Sequence, residues 1–273
     1  MAIDWSGAAP SWDRHRHTIE EMKAEVTELL LAAVRPLEGA QVLELGGGTG
    51  ELAARLADEV GPTGQLTATD LAPGMVELLD KRLAAYPNVT VSRADAMDLD
   101  LPERSFDAVV FRMGLMMAPD PDRALAGIHR VLRPGGVFAT TVWGTPQENP
   151  WMTAVGMAAA FSGLVAGGPP VAPGGPFSLG DPDDLARRVG AAGFSDVSVR
   201  RVPKTRHYRD AAQHVDEIGT LSPQLTAAFA AATPEQLAAV VEGVTALTAE
   251  YAAEGGGTDV PGTALLCVAR RPG

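Results

Sequence analysis

The amino-acid sequence predicts an α/β fold: a mainly parallel sheet covered by helices on both faces. Three observations carry this expectation. Five strand-like runs, QVLEL (41–45), QLTATD (65–70), VTV (89–91), FDAVVF (106–111) and VFATTVW (137–143), alternate with helical periodicities over roughly 110 residues, as βαβ units require. The first run opens into VLELGGGTGE (42–51), a glycine-rich turn between a strand and a helix, where open α/β sheets bind their ligands. A composition of 46% apolar and 21% charged residues over 273 positions suits a globular chain with a sizeable core.

Each element follows from its pattern. Thr18 and Glu21 suggest a capping box for a helix over 18–34, whose Ile19, Met22, Val26, Leu29, Leu30 and Ala33 recur at helical spacing before Pro36. QVLEL is short and apolar, as a strand buried on both faces must be. Leu52, Leu56 and Val60 mark a helix stopped at Gly61-Pro62, and Pro73 opens another with Val76, Leu79 and Leu83 on one face. Leu125, Ile128 and Leu132 mark a further helix, with a turn expected at the RPGG of 133–136. After Trp143 the rhythm breaks into an uncharged stretch at 151–168, then the Pro/Gly-rich GGPPVAPGGPF. Residues 181–192 read as a helix, DVSVRRV (196–202) as a strand, 210–253 as helical with a start at Thr233-Pro234-Glu235-Gln236, and TALLCVA (263–269) as a buried closing strand.

Charge and cysteine content narrow the function. A net charge of −12 without a basic stripe argues against nucleic acid and anionic membranes as partners. The single Cys267 excludes an internal disulfide and a multi-cysteine metal site, and its apolar flanks place it in the core. The opening MAIDWSGAAPSWDRHRH lacks the apolar segment of a signal peptide, so a cytoplasmic protein is expected. The stretch 151–168 is long enough to span a bilayer, but it is rich in Ala and Gly and poor in Leu, Ile and Val. It is expected to be an apolar helix covering a pocket.

The glycine turn admits three readings. A phosphate-binding Walker loop needs Gly-Lys-Ser/Thr, and no lysine follows Gly50. A dinucleotide fingerprint begins at Gly46 and Gly48, but Glu51 stands at its third position, where a carboxylate would repel a pyrophosphate. What remains is E-x-G-x-G-x-G, filled by Glu44, Gly46, Gly48 and Gly50, which suits a ligand without phosphate held against bare backbone.

In these residues, in Asp70 standing 20 positions after Gly50, and in Asp95 within SRADAMDLDLP, the chain resembles the class I S-adenosylmethionine-dependent methyltransferases. FDAVVFRMGL and RALAGIHRVLRPGGVFATTVW are similar to the branch of quinone C-methyltransferases and natural-product methyltransferases. The resemblance spans about residues 38–145, with a weaker match at FSLGDPDDLARRVGAAGF. It implies a seven-stranded Rossmann-like sheet of order 3-2-1-4-5-7-6 with the last strand antiparallel, TALLCVA being that strand. It implies S-adenosylmethionine as cofactor and S-adenosylhomocysteine as product, and an enzyme transferring a methyl group to a small molecule, which the apolar segments after the fourth and fifth strands lead us to expect is hydrophobic. Asp70 would hold the ribose hydroxyls, since a carboxylate accepts two hydroxyl protons. Asp95, with Ala96 beside it, would face the adenine amine, Leu71 and Met75 would sandwich the adenine, and Arg112 would pass beside the methionine end.

The expected organisation is an N-terminal lid and helix (1–36), a cofactor-binding core (37–145), an apolar cap and Pro/Gly loop (146–180), and a C-terminal part (181–273) with a helical insertion at about 210–255. Met113, Met116 and Met117 after the fourth strand, and Trp143, Trp151, Met157 and Phe161 after the fifth, would form an adaptable apolar acceptor pocket. Methyl transfer from a sulfonium is catalysed mainly by proximity and orientation, and needs a base only if the nucleophile must lose a proton. Among His15, His17, His129, His207 and His214, the base candidates are His17, in the expected lid, and His207, before the insertion. The acidic run Asp95, Asp98, Asp100 and Glu103 has no ligand histidine near it and reads as a solvated turn, so no metal is expected. The motifs leave open a non-methylating reaction such as cyclisation on the same cofactor, a non-catalytic cofactor-binding partner, the acceptor's identity, and a monomeric or homodimeric state.

Overall fold

The apolar runs pair into one sheet because each is too short and too greasy to stand at a surface. In the computed structural model, which describes residues 4–168 and 171–273, the strands are β1 (Gln41–Glu44), β2 (Gln65–Asp70), β3 (Val89–Arg93), β4 (Phe106–Arg112), β5 (Leu132–Trp143), β6 (Ser195–Tyr208) and β7 (Thr258–Arg270). They lie in the order 3-2-1-4-5-7-6. The first five pair in parallel, and β7 runs antiparallel to both β5 and β6. The expected sheet order and the antiparallel last strand are therefore those observed.

The helices are α1 (Trp5–Arg14), α2 (Arg16–Val34), α3 (Glu51–Val60), α4 (Pro73–Leu83), α5 (Pro121–Val131), α6 (Pro150–Phe161), α7 (Pro182–Ala191), α8 (Ala211–Leu221), α9 (Pro223–Ala230) and α10 (Pro234–Leu247). Six of them begin with proline in the first turn, where its missing N–H has no partner to lose. α2 crosses β4, β5 and β7 and buries Leu30 and Leu31 completely; truncating either to alanine would cost about 2–5 kcal/mol. α3 and α4 flank β1, β2 and β3, while α6, α8 and α10 pack on one another as a helical cap. The Thr233/Gln236 capping box opens α10 as expected.

Four local expectations differ. Residues before 18 form α1, and α2 starts at Arg16, so Thr18 lies inside the helix and caps nothing. The RPGG turn is absorbed into the start of β5, where the register against β4 is irregular and Gly135, at φ +79°, gives its N–H to Arg271 O at 2.8 Å. β6 continues to Tyr208 through Pro203, which an edge strand tolerates because one row of its backbone groups faces no partner. The uncharged stretch is helical only over Pro150–Phe161, and Pro169 and Pro170 of the loop after it lie outside the described residues. Among the described residues, no helix is long and apolar enough to cross a membrane.

Candidate active site

The carboxyl ends of β1 and β2 bring the glycine turn and Asp70 together. Gly46, Gly48 and Gly50 all have positive φ, at 64°, 58° and 88°, which side-chain-bearing residues rarely adopt. Their reasons differ. A Cβ at Gly46 would lie 3.0 Å from the Phe111 ring and one at Gly50 3.0 Å from Arg82 Cδ, whereas Gly48 has nothing within 4 Å on that side. Protein packing thus explains Gly46 and Gly50, and the open flank of the turn lies at Gly48. Asp70 ties this flank down: Oδ2 accepts from the Gly48 N–H at 3.0 Å and Oδ1 from the Ala72 N–H at 2.9 Å. Burial pushes its carboxyl above the ordinary range despite these backbone donors.

Glu44 ends β1 beneath the turn. It is only 1% exposed, and among the described residues its Oε2 has no hydrogen-bond partner. Burial pushes its carboxyl up to about 8, with Arg112 opposing and Glu20, Asp70 and Glu51 reinforcing the shift. A buried acid with an unused oxygen is costly unless a ligand satisfies it. Asp95 stands on the loop after β3, half-buried like Ala96 beside it, and its Oδ1 accepts from the Met97 N–H at 2.9 Å. Leu71 is 49% exposed beside Asp70, which gives a ligand an open apolar contact, but Met75 is buried against Ala9 and Ala72 under α1. Met75 therefore packs the lid rather than facing Leu71 across a slot.

α1 and α2 fold over this end of the sheet. Ser6 Oγ accepts from the Gly74 N–H at 3.3 Å. Arg82 of α4 ties α3 and α1 together through Glu51 at 2.8 Å and Asp13 at 3.0 Å. Arg112, with its side chain 7% exposed, is clamped by both oxygens of Glu20 at 2.6 and 2.7 Å and by Thr27 Oγ1 at 2.9 Å. Lys23 stands 3.6 Å from Glu20 and over the Trp12 ring; burial, then Arg112, push its ammonium down to about 8. Sequence reasoning placed Arg112 here but missed Glu20 and Lys23. A signal existed: Arg16, Glu20, Lys23 and Thr27 form a polar stripe at helical spacing beside the apolar one.

On the acceptor side the sequence-predicted residues separate. Trp143 and Trp151 meet edge to face, with ring centroids 5.2 Å apart. Asn149, fully buried, holds Trp151: its Oδ1 accepts from the indole Nε1 and the Thr263 N–H, and its Nδ2 donates to Thr145 O and Thr263 O, all at 3.0 Å. Met113 has φ +57° and gives its N–H to Thr141 O at 2.9 Å. Met116 is buried, Met117 and Met157 are half-buried, and Phe161 is 78% exposed at the far end of α6, away from the tryptophans. A short helix carries its last turn beyond the wall that its first turn builds.

Neither base candidate is drawn into this cluster. His17 is exposed on α2. His207 is exposed on β6 and pairs with Asp259 at 2.7 Å; strand alternation turns it to the sheet face opposite Lys204. His214 is buried, stacked on Tyr208 and bonded through Nε2 to Trp151 O at 2.5 Å, with burial lowering its pKa. Lys204, which sequence reasoning missed, lies against both tryptophans, 4.9 Å from the Trp143 centroid and 4.5 Å from that of Trp151.

Comparisons with known proteins bear on the domain that carries this geometry. A family described as a methyltransferase domain matches residues 42–136. The ubiquinone/menaquinone biosynthesis C-methyltransferase UbiE of Psychromonas ingrahamii is 37% identical over 116 residues, covering 41% of this chain and 46% of that protein. The demethylmenaquinone methyltransferase of Listeria welshimeri is 30% identical over 146 residues, covering 52% of this chain and 62% of that protein. The chain thus spans about half the length of the curated relatives it matches. The solved YcgJ protein of Bacillus subtilis shares the fold over 92% of this chain and 99% of its own, with a TM-score of 0.63 at 16% identity.

Proposed function

We propose that this chain, whose residues 42–136 match a methyltransferase domain, acts as a class I S-adenosylmethionine-dependent methyltransferase and transfers the methyl group of S-adenosylmethionine to a small, largely apolar metabolite. The observation that carries the reading is the arrangement at the ends of β1 and β2: the open flank at Gly48, Asp70 beside it and the unpartnered oxygen of Glu44 beneath. These residues fit the cofactor's chemistry, with an acid for the ribose hydroxyls, bare backbone for the nucleoside, and a buried acid for a cationic group. Bound there, S-adenosylmethionine supplies an electrophilic methyl on a sulfonium.

The chain's own residues do the rest. Asp70 and the turn orient the nucleoside, and Asp95 takes the adenine amine. Glu20 fixes Arg112 beside the methionine end, and α1 and α2 exclude water from it. The tryptophan pair and Met113 present an apolar wall that orients the acceptor, and orientation is the main catalytic contribution such a transfer needs. The curated relatives' names, which place them in ubiquinone and menaquinone biosynthesis as C-methyltransferases, support an aromatic or quinone-like acceptor.

Calorimetric titration with S-adenosylmethionine and S-adenosylhomocysteine, wild type beside Asp70→Ala, tests the cofactor site. Binding weakened at least tenfold in the variant supports it, and no binding to the wild type refutes it. A labelled-methyl screen of hydrophobic acceptors then tests transfer: products heavier by one methyl support it, and products of unchanged mass point to a non-methylating reaction.

A further inference from the structure

Lys204 has an unusual setting for a cation. Its Nζ faces two indole rings, Trp143 and Trp151, and donates to Met22 O of α2 at 3.1 Å. Among the described residues it forms no ion pair with a carboxylate within 4.0 Å, whereas Arg206, two residues along β6, is neutralised bidentately by Glu217 at 2.7 and 2.9 Å. The charged groups around Lys204 are Arg206 on its own strand, Glu217 of α8 and Glu25 of α2. Of these, Glu217 already serves Arg206.

Strand register places this cation on the catalytic face. Lys204 pairs with Gly262, Val202 with Ala264, Ala264 with Trp143, and Thr141 with Arg112. Paired residues share a face and so do residues two apart, so Arg112, Trp143 and Lys204 line the same side of the sheet, the side α2 crosses. Gly262 makes the reach possible. A Cβ there would stand 2.5 Å from Trp151 Cδ1 and 3.2 Å from Lys204 Cγ, so its absence lets the lysine stem and the indole lie over β7. β6 runs parallel to β4 and β5, so Lys204 approaches from the carboxyl edge of the sheet, beside the methionine end of the cofactor site.

We propose that Lys204 is a specificity-determining residue of the acceptor site: its ammonium, held against the Trp143–Trp151 pair, receives the ionised oxygen of an acidic hydroxyl, a phenolate or enolate carried on an aromatic or quinoid skeleton. The indoles, 8% and 1% exposed, back the ammonium with an apolar surface, and the ammonium, which no carboxylate neutralises within 4.0 Å among the described residues, supplies the counter-charge to the anionic oxygen. This inference rests on the methyltransferase reading for the presence of an acceptor at this place. It adds the acceptor's charge and the residue that selects it.

The probes are 2-hydroxy-1,4-naphthoquinone, an enolate throughout pH 6–10, and its neutral methyl ether, each titrated by quenching of tryptophan fluorescence with S-adenosylhomocysteine bound. The wild type should bind the enolate at least about tenfold more tightly than the ether at pH 7, the size expected of one charge-assisted hydrogen bond. Lys204→Met should bind both alike, and Lys204→Arg should restore the preference. Burial pushes the ammonium down to about 8, so the wild-type preference should be full at pH 6 and lost by pH 10. Lys23 titrates in the same range, and a residual pH dependence in Lys204→Met would report it.

A preference retained in Lys204→Met, no preference in the wild type, or a wild-type preference unchanged from pH 6 to 10 would each overturn the assignment. Lys204→Arg decides even if Lys204→Met fails to fold: its guanidinium stays charged, so its preference should persist at pH 10, and a loss there like that of the wild type would assign the titration to Lys23 and overturn the role of Lys204. S-adenosylhomocysteine titration is the separate arm: if the wild type does not bind it, the methyltransferase reading fails, whereas binding without naphthoquinone discrimination defeats only the role of Lys204.

Discussion

Binding of S-adenosylmethionine should release close to one proton at pH 7, and the proton should come from Glu44. The carboxyl is 1% exposed, one oxygen has no partner, and burial pushes it up to about 8. One pH unit below that value, about 0.9 of the Glu44 population carries a proton. A cationic ligand beside the carboxyl favours its ionised form, and a return toward the ordinary glutamate value of about 4.3 would expel that 0.9 proton. Calorimetry in phosphate and Tris measures it, because the observed enthalpy varies with the buffer's ionisation enthalpy in proportion to protons exchanged. Glu44→Gln subtracts protons exchanged by the ligand's own amine. The difference between wild type and variant should be about 0.9 proton at pH 7 and about 0.1 at pH 9. Equal proton counts in the two proteins, or a difference that grows with pH, would refute the reasoning. The same shift has a sign for stability without ligand. The folded state holds this proton where the unfolded chain has lost it, so the contribution falls as pH rises from about 4.3 to about 8.

Other perturbations test the frame around the site. Glu20→Gln should destabilise the protein by about 3 kcal/mol in urea unfolding, because it strands the buried guanidinium of Arg112. Burial raises the Glu20 carboxyl, but Arg112 and Lys23 together hold it below the ordinary range; its contribution is therefore present above the unfolded value and lost as pH falls through the folded one, an acid limb that Glu20→Gln should flatten. Asn149→Leu removes four hydrogen bonds of 3.0 Å and should cost about 3–4 kcal/mol, or roughly 10 °C in thermal unfolding; an unchanged midpoint would show that the bonds are dispensable. Gly262→Ala puts a Cβ 2.5 Å from an indole that is itself 1% exposed, so a loss of about 2 kcal/mol with a shifted tryptophan emission is expected, and native emission at native stability would contradict the packing.

How much of this was legible depends on distance along the chain. The strand, turn and helix of 41–60 are contiguous, and the acid of β2 follows within 20 residues of Gly50, so local pattern and spacing sufficed for the cofactor end. The acceptor end was less legible. Trp143 and Trp151 were expected there and do meet, because a short turn joins β5 to α6. Phe161 was expected with them but is exposed, since uniform apolarity along α6 concealed which of its turns faces the protein. Glu20 lies 92 residues from Arg112 in sequence, and a charged residue on a helix reads as a solvated face until a partner is placed against it. Lys204 and His207 illustrate the same limit on a strand: three residues apart, they fall on opposite faces, and nothing in VPKTRHY says which face the α2 helix covers.

By itself the sequence determined the periodicities, the parallel α/β core and the glycine turn, because these depend on interactions a few residues apart and on backbone conformations that only certain residues adopt. Only the tertiary structure decided which charges are buried, that Lys204 forms no ion pair with a carboxylate among the described residues, and which histidine faces away. Burial and pairing depend on chain segments brought together from opposite ends of the fold, and the free energy of a charge is set by what surrounds it in space rather than by its neighbours in the chain.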